Sequence, residues 1–169
     1  MKLQATDVQI EITNLQSALR IDEEALHRYA LWIMGKVARL DPAFHWVELS
    51  LVLTDDAIRD LNREWFDRDC ITDVISFAYP FDGISLDFGA DVRTGGDTGE
   101  VVINLVQAHE EGRLRDSPDR ELALYLAHGC HHLIGAEDDT PERKRAMLTL
   151  ETAWVNEARS LKLAGPFFI

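Results

Sequence analysis

Alternation of apolar and polar side chains over Val8-Gln9-Ile10-Glu11-Ile12 predicts a half-buried strand, because successive strand residues point to opposite faces. The period then lengthens. Leu26, Tyr29, Ala30, Ile33 and Val37 recur at intervals of three and four and predict a helix from a cap at Asp22 to about Arg39, closed by Asp41-Pro42. Trp46 to Leu53 reads as a second strand, and Thr54-Asp55-Asp56 opens a short helix containing Ile58, Leu61 and Trp65. Asp73 to Ala78 is a third strand. Between Pro80 and Thr98, Gly, Pro and Asp accumulate and predict a long loop, a candidate flap over a site. Glu100 to Asn104 is a fourth strand, followed by a helix to about Arg113. Ser117-Pro118 and Thr140-Pro141 then repeat one start signal, a hydroxyl cap followed by proline at the first helical position. The last helix should bury Met147, Leu150 and Trp154. These elements predict one α+β domain over residues 1–169, a small mixed four-stranded sheet packed by about five helices.

The helix that starts at Ser117 carries chemistry. His128 and His132 stand four residues apart, which places both imidazoles on one helical face, close enough to share an ion. Gly135 can take a positive φ and turn the chain back, so that Glu137, Asp138 and Asp139 arrive as candidates for a third ligand. Two His and one carboxylate leave a coordination position open, and a divalent metal holding water there lowers that water's pKa to about 7. Hydrolysis is the implied chemistry. His131 lies about a hundred degrees round the helix from both neighbours and reads as a satisfied core histidine, with Cys130 a small buried residue. Glu121, two turns before His128, is a candidate to orient an imidazole. A peptidase of the H-E-x-x-H type is excluded, because Gly129 stands where the general-base Glu would be.

Composition narrows the setting. A chain of 169 residues with 46% hydrophobic residues can bury a sizeable core. The absence of any run of about twenty apolar residues, or of a signal-like start, predicts a cytoplasmic protein without a membrane span. Cys70 and Cys130 form neither a CxxC pair nor a disulfide framework, in keeping with a reducing compartment. A net charge of −13 argues against a general nucleic-acid coat protein, while Lys36, Arg39, Arg59, Arg63 and Arg68 leave room for a local basic groove.

Three segments then converge. Leu61-Asn62 through Thr72-Asp73-Val74-Ile75-Ser76-Phe77, Gly99-Glu100-Val101-Val102-Ile103, and His128-Gly129 with His132-Leu133 and Gly135 resemble, in order and spacing, the YbeY family of bacterial metal-dependent endoribonucleases. The resemblance implies cleavage of single-stranded RNA in 16S rRNA 3′-end maturation and ribosome quality control. RNA and the small ribosomal subunit would be the partners, with neither DNA nor membrane. It implies one ion, zinc, on His128, His132 and Asp138, with His128 also in the catalytic machinery and Ser76 and Phe77 bordering the cleft. The chain departs from the family pattern in two places. Asp138 stands where the family has a third His, and its hard oxygen admits other divalent metals. Phe66 stands where the family carries Arg, so Arg68 becomes the candidate guanidinium for holding phosphate, with Arg63 and Lys144 behind it. Two rival classes stay open: another zinc-dependent hydrolase, and a non-catalytic ribosome-assembly factor stapled by its metal.

Overall fold

The Asp22 carboxylate accepts the Ala25 N–H at 2.9 Å and starts α1 (Glu23–Leu40), which connects β1 (Gln9–Asn14) to β2 (Trp46–Thr54) in a computed structural model describing residues 7–81 and 96–169. After β2 come α2 (Ile58–Phe66), β3 (Val74–Tyr79), β4 (Asp97–Asn104), α3 (Leu105–Arg115), α4 (Pro118–His132) and α5 (Pro141–Ser160). The sheet order is β1-β2-β4-β3; β1, β2 and β4 run parallel, and β3 is antiparallel to β4. This is the mixed four-stranded sheet with five helices that the alternating patterns predict, and the caps at Ser117 and Thr140 hold as read. No described helix is long and apolar enough to cross a membrane.

Strand alternation divides the core. Leu49, Leu51, Leu53, Val101 and Ile103 face the larger cluster with the α1 stripe and with Leu122, Ala123 and Leu126 of α4. The alternate residues Ile75 and Val102 meet Ile58 of α2 in a smaller cluster. α4 is buried along most of its length, and the Tyr29 hydroxyl donates to the Ala123 carbonyl at 2.9 Å, pinning α1 to it. The C-terminal tail closes over the start of α1, where Phe167 is fully buried and its carbonyl accepts the Asp22 N–H at 2.7 Å.

On α2, Trp65 is 62% exposed and Asn62 is buried, its amide donating to the Cys70 carbonyl at 2.9 Å and so satisfying itself under the chain. One expectation is corrected. Asp97 and Thr98, read as loop, begin β4. Asp97 is tolerated there because its carboxylate accepts the backbone N–H groups of His45 and Phe81. The rest of the expected flap, residues 82–95, lies outside the described residues.

Candidate metal centre

α4 reaches the sheet closely enough to hold its last turn rigidly. A Cβ on Gly129 would meet Val101 Cγ1 at 2.6 Å and Val74 Cγ2 at 2.9 Å, so only glycine permits this approach. The Ser76 hydroxyl donates to the Gly129 carbonyl at 2.7 Å, tying β3 to the same turn. His128 and His132 follow on one face, with Nε2 atoms 3.0 Å apart. Gly135 has φ of +81°, and the reversed chain brings Asp138 to the pair. Asp138 Oδ2 lies 3.6 Å from His128 Nε2, and Oδ1 lies 4.0 Å from His132 Nε2.

These atoms suit one ion. A tetrahedral ion with ligands at about 2.0–2.2 Å holds them about 3.3–3.6 Å apart, and the observed separations bracket that range. The proton positions agree. His132 Nδ1 faces the Ala136 carbonyl at 2.7 Å and must donate to it, while His128 Nδ1 faces both oxygens of Glu151 at 3.2 and 3.1 Å. With Nδ1 so engaged, each Nε2 can present a lone pair to an ion, and both converge with the Asp138 carboxylate. Among the described residues these three are the group of His, Cys, Asp or Glu that could hold a metal. Their side chains are 25%, 28% and 36% exposed, so water and substrate can reach them.

The competing acids are held elsewhere. Glu137 and Asp139 both accept from Arg143, at 2.8 and 2.9 Å. Beside them an open depression of about 460 Å³ is lined by His131, Glu137, Arg143 and Met147 among others.

Glu121 does not orient an imidazole. It is buried against Arg115, and burial pushes its carboxyl above the ordinary carboxylate range although Arg115 pulls it back. The carboxylate that does meet an imidazole of the pair is Glu151 on α5, which spacing along α4 could not reveal. One signal was available: a Glu among Met147, Trp154, Val155 and Ala158 on a core face. Burial opposes charge on His128, but the hydrogen bond and charge of Glu151 outweigh it and raise its pKa above 6.5. Burial likewise opposes charge on Glu151, and its hydrogen bonds to His128 and His131 outweigh that and lower its pKa. His131 is the satisfied core histidine, its Nδ1 2.9 Å from Glu151 and its ring 5.4 Å from that of Trp154.

Ser76 and Phe77 part company, as neighbours on a strand must. Ser76 faces α4, whereas Phe77 faces α2 and packs against Trp65 and Phe66 with ring centroids at 5.5 and 6.2 Å. Phe77 therefore supports the opposite face of the sheet. Arg68 is exposed just beyond α2, with no side-chain partner among the described residues.

A small α+β fold that presents two helix-borne imidazoles and one turn-borne carboxylate to solvent has the form of a metalloprotein with, among the described residues, one accessible candidate ion site. The family model for Endoribonuclease YbeY matches residues 11–159, and the chain belongs to that family. A relative named Endoribonuclease YbeY from Acetivibrio thermocellus is 32% identical over 162 residues, covering 86% of this chain and 94% of that protein. Another of that name, from Myxococcus xanthus, is 41% identical over 116 residues, 66% of this chain but only 36% of that longer protein. The solution structure of TM1509 from Thermotoga maritima matches with a TM-score of 0.53 at 18% identity, over 93% of this chain and 96% of that one, and shares the fold.

Proposed function

We propose that this chain is a metal-dependent endoribonuclease that cleaves single-stranded RNA, acting in the cytoplasm on the small ribosomal subunit in 16S rRNA 3′-end maturation and ribosome quality control. Family membership supports RNA as substrate, and the convergence of His128, His132 and Asp138 carries the reading. A divalent ion on these residues would supply Lewis acidity and lower the pKa of water, as phosphodiester hydrolysis requires. Two imidazoles and a carboxylate suit zinc, and the carboxylate oxygen also admits harder ions. The protein's part is positional: Ala136 and Glu151 hold the two rings, and Asp138 completes the set. Arg68, exposed and without a partner among the described residues, is the candidate to hold phosphate.

The test is incubation of zinc-loaded protein with a single-stranded ribosomal RNA precursor, an RNA duplex and casein. RNA cleavage that disappears on chelation and in His128→Ala is the expected result. Casein hydrolysis with intact RNA would point instead to another zinc-dependent hydrolase.

One observation favours a second reading. Phe66, at the position where the family pattern has Arg, carries a ring stacked toward Phe77 and offers nothing to a phosphate. A ribosome-assembly factor whose metal only stabilises the fold would show unfolding on chelation and no RNA cleavage at any metal loading.

A further inference from the structure

Glu151 is the most deeply buried carboxylate near the candidate centre, its side chain 2% exposed, and it comes from a different helix than either imidazole. Both of its oxygens are engaged. Oε2 accepts from His128 Nδ1 at 3.1 Å, while Oε1 takes His131 Nδ1 at 2.9 Å and His128 Nδ1 at 3.2 Å. His131 holds no position in the ligand group, and its ring is fixed in turn against Trp154 on the same helix as Glu151. The three side chains form a chain of contacts, from a buried imidazole through a carboxylate to an imidazole whose Nε2 faces His132 and Asp138.

We infer that Glu151 is the positioning residue of the metal centre and that His131 acts through it, the pair fixing the tautomer and ring orientation that present His128 Nε2 to the ion. The inference rests on the metal site of the proposed function, though not on RNA being the substrate. Its physical basis is that a ligating imidazole whose outer N–H is held by a carboxylate loses no orientational freedom on binding and is a more basic ligand. An amide replaces this carboxylate only if one of the two rings changes its tautomer. Whichever way the amide of a Glu151→Gln variant were turned, its NH2 would face a ring N–H, of His128 in one orientation and of His131 in the other. His131 matters for the same reason: without its N–H, Oε1 loses its shortest contact and the carboxylate is free to turn away from His128.

The experiment is competition titration of the full chain with Zn²⁺ and Co²⁺ against a chromophoric chelator, with the Co²⁺ absorption spectrum recorded. The variants are Glu151→Gln, His131→Leu and, as a control, Glu121→Gln, which changes a buried carboxylate of α4 that touches neither imidazole. Metal affinity should fall about 10- to 100-fold in Glu151→Gln and by a smaller factor in His131→Leu, with an altered Co²⁺ spectrum in both. Glu121→Gln should keep the wild-type affinity and spectrum. Thermal melting of the chelated proteins verifies that each variant is folded before titration. Wild-type affinity and spectrum in folded Glu151→Gln would overturn the inference while leaving the metal site standing. Equal losses in Glu151→Gln and Glu121→Gln would overturn it too, by showing a general structural effect. If the wild type bound neither ion, the site itself would fall and the inference with it, whatever the RNA assay showed.

Discussion

The Nδ1 of His132 lies 2.7 Å from the carbonyl oxygen of Ala136, so the last ligand on the helix is held by the turn that delivers the next one. That turn depends on Gly135, whose φ of +81° a residue with a Cβ adopts only under strain. Gly135→Ala should lose about 1–3 kcal/mol of stability in a urea titration. It should also weaken zinc binding, because the strain is relieved by moving Ala136 and Asp138. Unchanged stability and affinity would show that the turn adapts without cost.

Gly129 carries a different constraint, close approach. A methyl group there would meet Val101 and Val74, β-branched residues with little room to turn. Gly129→Ala should therefore destabilise by about 1–3 kcal/mol, measured by denaturant unfolding of the chelated protein so that metal binding does not contribute. A neutral or stabilising result would mean that α4 can lift from the sheet freely.

Among the three acids after Gly135, only Asp138 is turned toward the imidazoles; Arg143 engages Glu137 and Asp139. Elemental analysis should find metal lost from Asp138→Ala and retained in Asp139→Ala. The reverse outcome would reassign the third ligand. Asp138→His should keep zinc but bind Mn²⁺ less well than the wild type, since imidazole is the softer donor.

The pH dependence should change sign with metal. In the metal-free protein the folded pKa of His128 is raised above 6.5, so its contribution to stability is fully present below 6.5 and is lost as pH rises through the folded value. Zinc binding needs the neutral ring, so the stabilisation it confers grows in the same direction. The gap in Tm between zinc-loaded and chelated protein should widen from about pH 5 to about pH 8. A gap that narrows over this range would contradict the role of His128.

Glu121 gives a separate pH signature. Its carboxyl is pushed up by burial, so its favourable contribution is present below the ordinary carboxylate value and is lost as pH rises through the folded one. Glu121→Gln, which stays neutral, should gain stability relative to wild type as pH rises from about 4 to about 7. A constant difference would show that the Arg115 ion pair fully compensates its burial.

Local regularities were legible along the chain because they are repeated every turn or every second residue. The cap at Asp22, the Ser117-Pro118 start and the four-residue spacing of His128 and His132 depend only on near neighbours, and all appear as read. Sidedness was less accessible where a single polar residue could satisfy itself, as Asn62 does, leaving Trp65 outward. Phe77 shows a similar gap: adjacency to Ser76 in sequence means opposite faces in a strand.

The set of possible ligands was already written in the order of residues, since a helix puts positions four apart on one face and glycine lets the chain return. Which acid faces the imidazoles, and which carboxylate supports them, was settled by packing. Arg143 holds Asp139 from four residues along and Glu137 from six, whereas Glu151 reaches His128 across 23 residues because α5 packs on α4. The choice of Glu151 is made by a contact between elements, which no local period encodes.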